Sequence, residues 1–430
     1  MLDFDTVHKV ALGLSIALFI FGFIKPVLMP LSYLTCFFFK LPYYYPVLVD
    51  YRYELIIVVV GTLRTIVGKG VFQRLKMKYN KYFLVFLCTI LISFLVAWDK
   101  KYSWDYTLYA FMGNILLYIM IICSIKNIQD LKLFIWLFLI LYTFMAYEPV
   151  YYYITGREWV EYFGSRVKAE VGLLEGHRAL ANNMNQVIPI AFFLIFTVNN
   201  KVIKTLSGIP LFIFISTLIL GKARIGVVGF IFFILLLIYY SEQRMKYSIY
   251  GGLVIISLLL FSVGFSSTVS RIGMADARDS PIIGLVHGIE MVRFGNILGV
   301  GPGCYQLARG FYFNYTWPAH SLYGELIGDL GILGTVAWFL FIKNIFYNLN
   351  NPVKILRQEI ESDNFILKLS LGLQISMMVR LFIGLASHCM YIFYWYLVAA
   401  LSIVIFDLME KRNNNINEIN INNHNLIISK

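Results

Sequence analysis

The chain is short of charge. Only 14% of its residues are Asp, Glu, Lys or Arg, while 59% are hydrophobic. That balance excludes an ordinary soluble globular domain. Several chemistries lack their motifs as well. There is no Walker loop, no HExxH, no histidine cluster, and no Asp-x-Asp beyond Asp3-Phe4-Asp5 at the start. These absences argue against a nucleotide-driven pump and against metal-dependent group transfer, so neither metal nor cofactor is expected. The five cysteines form no CxxC pair and three lie inside apolar runs, which speaks against a disulfide framework or a zinc site. No internal repeat of the kind found in secondary transporters is visible. The net charge of +12 comes from cations in short loops, not from a basic stretch in polar sequence, so no nucleic-acid partner is expected.

Long apolar runs are what the chain has in abundance. Val10–Ile24, interrupted by Lys25-Pro26, is followed by Val27–Phe39, Glu54–Val67, Tyr82–Trp98, Tyr106–Ile125 and Leu133–Tyr147. Spans resume with Gln186–Val198, Leu206–Leu220, Ile225–Tyr240, Tyr247–Phe265, Leu322–Phe346, Phe365–Leu385 and Met390–Met409. Many approach the ~20 residues that cross a bilayer, giving about 12 transmembrane helices, or one more if the first run is split. The expected fold is an all-α, polytopic integral membrane protein with a single transmembrane domain over 1–410. The first run lacks a cleavage pattern and reads as a retained span. The asparagine-rich tail 411–430 reads as disordered.

Lysines and arginines at 74–81, 126–132, 201–204, 244–246, 343–357 and 411–412 share one side, which is cytoplasmic by the positive-inside rule. Two long loops, about 148–184 and 266–320, then face outward. Arg157, Arg166, Arg178, Lys222, Arg224, Arg271, Arg278, Arg293 and Arg309 violate the rule on that outer side. An anionic ligand there would account for them.

Arg224 opens a span. It fits either an interfacial arginine whose stem snorkels or a phosphate clamp. Arg380 lies within an apolar run, where a charge marks a functional site by default or an internal ion pair with Asp329 or Glu325. His320 stands where the second loop meets a long apolar run, in the right pKa range for a general base. Ser321 follows it. Gly324, Gly328, Gly331 and Gly334 come next at helical spacing and read as a close-packing face. Glu325 and Asp329, one turn apart, fit either a support for the imidazole and arginines or a wet helix face. The glycines of Asn296–Gly303 permit a tight turn near a ligand, with Arg293 just before them. His177 and Arg178 in the first loop are further supporting candidates, as is Arg278; His287 is ambiguous.

Taken together these stretches resemble the O-antigen ligase and O-antigen polymerase superfamily of bacterial surface-polysaccharide assembly. The resemblance rests on Gly221-Lys222-Ala223-Arg224-Ile225-Gly226, on Leu298-Gly299-Val300-Gly301, on the polar stretch Glu175–Asn183, and on His320-Ser321 followed after nine residues by Gly331-Ile332-Leu333-Gly334-Thr335. It covers about 166–380. It implies a metal-independent, inverting glycosyltransferase in the bacterial inner membrane, with its active site on the periplasmic face. The donor would be an undecaprenyl-pyrophosphate-linked glycan, and the acceptor a glycan or lipid A-core. The bilayer is a partner, and a chain-length regulator and a flippase are candidate partners. His320 would be the catalytic base, and Arg224, Arg293 and Arg380 the pyrophosphate ligands. Polymerase is the leading reading and ligase the alternative. From outside that class, a non-enzymatic polysaccharide or lipid transporter is the rival. High aromatic content, 17% of residues, suits an interfacial belt or sugar-stacking rings.

Overall fold

In the computed structural model, the described residues are 4–67, 74–155, 177–221, 223–240, 280–358, 364–387 and 390–428; helices dominate and no strand occurs among them. The first half comprises α1 (Phe4–Gly22), a 3-10 turn at Pro26–Leu28, α2 (Met29–Phe38), the short α3 (Leu41–Tyr44) and α4 (Pro46–Asp50), α5 (Tyr53–Ile66), α6 (Met77–Leu95), α7 (Lys100–Thr107), a π-helical turn at Leu108–Met112, α8 (Gly113–Ser124) and α9 (Ile128–Thr155). Then come α10 (His177–Ile195), α11 (Lys201–Leu220), α12 (Arg224–Tyr240), α13 (Pro281–Arg293), α14 (Tyr305–Phe313), α15 (Leu322–Gln358), α16 (Asn364–Ile383) and α17 (Phe393–Ile428).

Six of these helices are long and apolar enough to cross a membrane: α6, α9, α11, α15, α16 and α17; five further apolar helices are shorter. The expected span Tyr247–Phe265 lies outside the described residues. Lys25-Pro26 does separate the first apolar run into two helices, α1 and α2, because proline cannot continue the helix that precedes it.

Two boundaries depart from the reading by hydropathy. Helix α9 runs on to Thr155 and α10 begins at His177, so both reach into the segment 148–184 expected as a loop. Asn182 and Asn183, at the end of the segment expected as a loop, are buried in α10 and hydrogen-bond there, as does Asn185 just after them. The second departure is the tail. Helix α17 continues to Ile428, where disorder was expected; no glycine or proline interrupts 411–428.

α17 is central. It packs on α8, α15 and α16 and buries Trp395, Tyr394 and Tyr396. Trp395 meets Trp338 of α15 edge-on at 5.5 Å, and Phe341 of α15 stacks on Phe86 of α6 at 5.7 Å. Between apolar helices in lipid the hydrophobic effect gives no net drive, so close packing and buried hydrogen bonds must hold the bundle. Gly226 of α12 lies against Ala181 of α10, and a Cβ on Gly372 of α16 would come within 3.1 Å of Ile190 Cα of α10.

The bundle has two distinguishable ends. At one, Lys78 near the start of α6 bonds Glu410 of α17 at 2.6 Å. At the other, past the end of α6, Trp98 N–H donates to Val300 O at 2.7 Å. The 19 residues of α6 span about 28 Å at ~1.5 Å each, close to the ~30 Å of a hydrocarbon core.

Candidate functional site

The segment from His320 to Thr335 does not form one continuous helix. Gly331 has φ +64° and ψ −162°, which divides α15 into Leu322–Leu330 and a longer helix beginning at Ile332. The glycines at 324, 328, 331 and 334 are therefore not one packing face, as helical spacing had suggested. Gly331 takes a backbone conformation that a side chain disfavours, and a Cβ there would collide with the carbonyl of Ile297. Ile332 N–H instead donates to that carbonyl at 3.0 Å. Thr335 Oγ1 donates to Gly331 O at 2.7 Å, a threonine back-bond to the carbonyl four residues earlier at the start of the second helix. At the other end, Ser321 Oγ accepts from Gly324 N–H at 3.4 Å, a helix N-cap. The nine residues between Ser321 and Gly331 are thus one short helix, capped at its start and broken at its end.

The glycine-rich segment from Asn296 is built onto that break. Val300 N–H donates to Gly328 O at 2.9 Å and Gly301 N–H to Asp329 O at 3.0 Å. Gly299, at φ +86°, presses against Asp329 backbone where no Cβ would fit. Asp329 is fully buried. Its carboxylate accepts from Gly303 N–H at 2.9 Å, Tyr305 N–H at 2.6 Å and Tyr391 Oη at 2.6 Å. Asp329 is therefore neither a wet-face residue nor a partner of Arg380; it clamps this segment and α17 to the short helix. Glu325 is half-buried and accepts from Met390 N–H through Oε2 at 3.1 Å.

His320 stands immediately before the cap, itself at φ +48° and half-buried. The chain leading into it is held from beneath. Arg309 of α14, 1% exposed, donates through Nη1 to Trp317 O at 2.9 Å and to Pro318 O at 2.8 Å. Its Nε donates to His287 Nδ1 at 2.9 Å, and its guanidinium lies over Tyr315 at 4.4 Å. His287 of α13 stacks on Phe313 at 3.9 Å. Burial pushes the His287 pKa down and the neighbouring Arg309 pushes it further, against a smaller opposing pull from Glu290. Tyr305 Oη donates to Gly284 O at 2.6 Å, binding α14 to α13. Sequence alone groups Arg309 with the outward-facing cations that suggested an anionic ligand and does not reveal this role. Its acceptors are backbone carbonyls, which carry no residue signature, and its histidine partner is 22 positions away.

The arginines expected beside His320 are distributed unequally. Arg224 is exposed as the first residue of α12. Helix α12 meets α10 and α16: Asn185 Nδ2 donates to Gly226 O at 2.9 Å, and Phe232 stacks on Phe382 at 4.3 Å. Helix α16 in turn meets the short helix of α15, where Tyr323 Oη donates to Leu381 O at 3.0 Å. The starts of α10, α12 and α15 thus converge around the end of α16, and helix starts carry the positive ends of their dipoles. Arg380 lies on α16 one residue before Leu381. It is 3% exposed and, with the Gln186 amide oxygen turned toward it, donates to that oxygen from Nε at 3.2 Å and Nη1 at 3.1 Å. No carboxylate among the described residues pairs with it, contrary to the expected partners Asp329 and Glu325. Arg293 is exposed at the far end of α13. Nine residues, ~14 Å of helix, separate it from Gly284, which touches Ala319. His177 and Arg178 occupy the first turn of α10, but their side chains, like all of Arg278, fall outside the described residues.

The structure thus gives an imidazole at the head of a fixed helix, an arginine at the start of α12 and a buried arginine on α16, the helix against which both α12 and α15 pack. No protein-family model matches the chain, and neither does any curated protein sequence.

Proposed function

We propose that this chain is a membrane glycosyltransferase of about twelve spans. It moves a glycan from an undecaprenyl-pyrophosphate donor to a sugar hydroxyl on the periplasmic face of a bacterial inner membrane. The single observation that carries this reading is the agreement between the His-Ser-x9-Gly-x-x-Gly-Thr pattern and the short helix it encodes. Ser321 caps that helix and Gly331 ends it, and His320 stands immediately before the cap at a left-handed φ.

In this mechanism the acceptor hydroxyl loses its proton to His320 as its oxygen attacks the anomeric carbon. The bond from that carbon to the pyrophosphate oxygen breaks on the opposite face, inverting the centre, and the lipid pyrophosphate departs with the electron pair. Pyrophosphate is already a good leaving group, so charge neutralisation by Arg224 and Arg380 does more than a general acid would. The position of Arg293 does not support a share in the same pyrophosphate. The product is assigned to chain polymerisation, with ligation to lipid A-core as the alternative acceptor choice.

Deletion of the gene, with surface polysaccharide resolved on a gel, tests this. Core carrying a single repeat unit is the expected pattern. Bare core with long chains retained on the lipid carrier would mean ligation instead, and an unchanged pattern would overturn the transferase reading. In purified enzyme, His320→Ala is expected to lower turnover ~10²–10⁴-fold; near-normal turnover would remove His320 from the mechanism.

A further inference from the structure

We infer that Arg309 and His287 form a positioning device for the segment that carries His320, and that protonation of His287 releases it. Arg309 acts through the backbone of Trp317 and Pro318 and is not itself placed against any substrate.

A guanidinium has donors only and stays protonated in proteins. The nitrogen that accepts from Arg309 Nε must therefore carry a lone pair, so His287 is neutral with its proton on Nε2. Its ring is held in register by stacking on Phe313. The same guanidinium spends Nη1 on two successive carbonyls, Trp317 and Pro318, one residue short of Ala319. Ala319 O lies against Gly284 where no side chain would fit. His320 then takes a left-handed φ that a non-glycine residue adopts only under local constraint. One buried cation thus joins α13, α14 and the entry to α15.

If His287 gains a proton, two cations face each other across 2.9 Å and the Nε bond has no acceptor. Among the described residues, the charged and titratable groups on the surrounding elements are Glu290 and Arg293 on α13, Tyr305, Arg309 and Tyr312 on α14, Tyr315 after it, His320, and Glu325 and Asp329 on α15. Of these, Glu290 favours the proton and Arg309 opposes it more strongly. Asp329 is engaged by Gly303, Tyr305 and Tyr391, and Glu325 by Met390 N–H. A histidine whose folded pKa is lowered contributes stability that is complete above its unfolded value of 6.5. That contribution is lost as pH falls from there through the lowered folded value.

Hydrogen–deuterium exchange of the full-length protein in lipid nanodiscs reads this directly. Peptides covering residues 314–322 are followed across mildly acid to neutral pH, with intrinsic rates corrected for pH. In wild type, protection is expected to fall by up to ~10-fold per pH unit below the unfolded histidine value. His287→Asn keeps an acceptor that does not titrate and should give flat, wild-type-like protection. Arg309→Lys keeps the charge but not the fork, and should lose protection at every pH. A pH-independent wild type overturns the inference without any variant. So does persistent pH dependence in His287→Asn, or wild-type protection in Arg309→Lys. That the held segment delivers a base rests on the transferase reading; in a transfer assay Arg309→Lys should lower kcat and leave donor KM in place. The exchange result does not depend on that assay, so failure of one is distinguishable from failure of the other.

Discussion

Arg74 and Arg380 are both buried, 5% and 3% exposed, yet the two ends of the bundle treat them differently. Arg74 closes on Asp407 at 2.6 Å and on the carbonyls of Ile122 and Ile125. Lys411 reaches the same carboxylate at 2.9 Å, and Lys78 pairs with Glu410 beside it. At this end, cations and carboxylates neutralise one another. Thirteen residues earlier on α17, about 20 Å along the helix, Tyr394 lies in the other environment. There Ser376 bonds Tyr394 and the Gln186 carbonyl, and Arg380 meets an amide oxygen. A guanidinium buried without a counter-charge is costly unless something anionic arrives to compensate it. The lesson is that burial alone does not identify a functional arginine; the identity of its partner does.

The largest effect expected from breaking this comparison is at the saturated end. Asp407→Asn strands Arg74 with no carboxylate. It should cost ~3–5 kcal/mol, read as a lower thermal unfolding midpoint of the purified protein in nanodiscs. An unchanged midpoint would mean that the carbonyls of Ile122 and Ile125 suffice for Arg74, and the two ends would no longer differ in kind.

A smaller effect is expected at Gly331, which shapes the other end. Gly331→Ala puts a side chain at φ +64° and against Ile297 O. The backbone strain alone is ~1–3 kcal/mol. Faster exchange should be confined to the residues docked on the break, 296–303, while α6 and α17 keep their protection. A uniform loss of protection would mean that the break belongs to the core fold and not to the site.

These variants also mark how far the sequence could be read. Apolar runs located α12 and α16 closely, because a helix in lipid must be apolar over its length. They missed the first turn or more of α6, α9, α10 and α11, where polar residues open the helix; Asn182 of α10 is polar for the sake of Ser387, a neighbour that hydropathy does not see. Gly331 was legible as a glycine and not as a break. Its spacing from Gly324 and Gly328 fits a helix face, and only the returning Ile297 reveals the turn. The role of Asp329 stayed open between a wet face and a support for the imidazole and arginines because its three donors come from 303, 305 and 391. His320 and Arg224 stood out because a polar or cationic residue at the start of an apolar run is visible locally. Arg309 did not, because its work is done on carbonyls.

The smallest effect on stability, and the sharpest for function, is expected at Arg380. Arg380→Met removes a buried charge that no described carboxylate compensates. It should change stability by no more than ~1 kcal/mol, and in the stabilising direction if packing is kept. This is the opposite sign to Asp407→Asn, although both replace a buried ionisable side chain. Inorganic pyrophosphate then separates the remaining accounts. If Arg380 is held for an anion, millimolar pyrophosphate should stabilise wild type and not Arg380→Met, by up to ~2.7 kcal/mol at a hundredfold excess over its dissociation constant, read as a raised unfolding midpoint. If Arg380→Met instead costs as much as Asp407→Asn, Gln186 is partner enough and Arg380 is structural. If the pyrophosphate shift survives the substitution, the anion is held at the helix starts around Arg224 and not at the buried arginine.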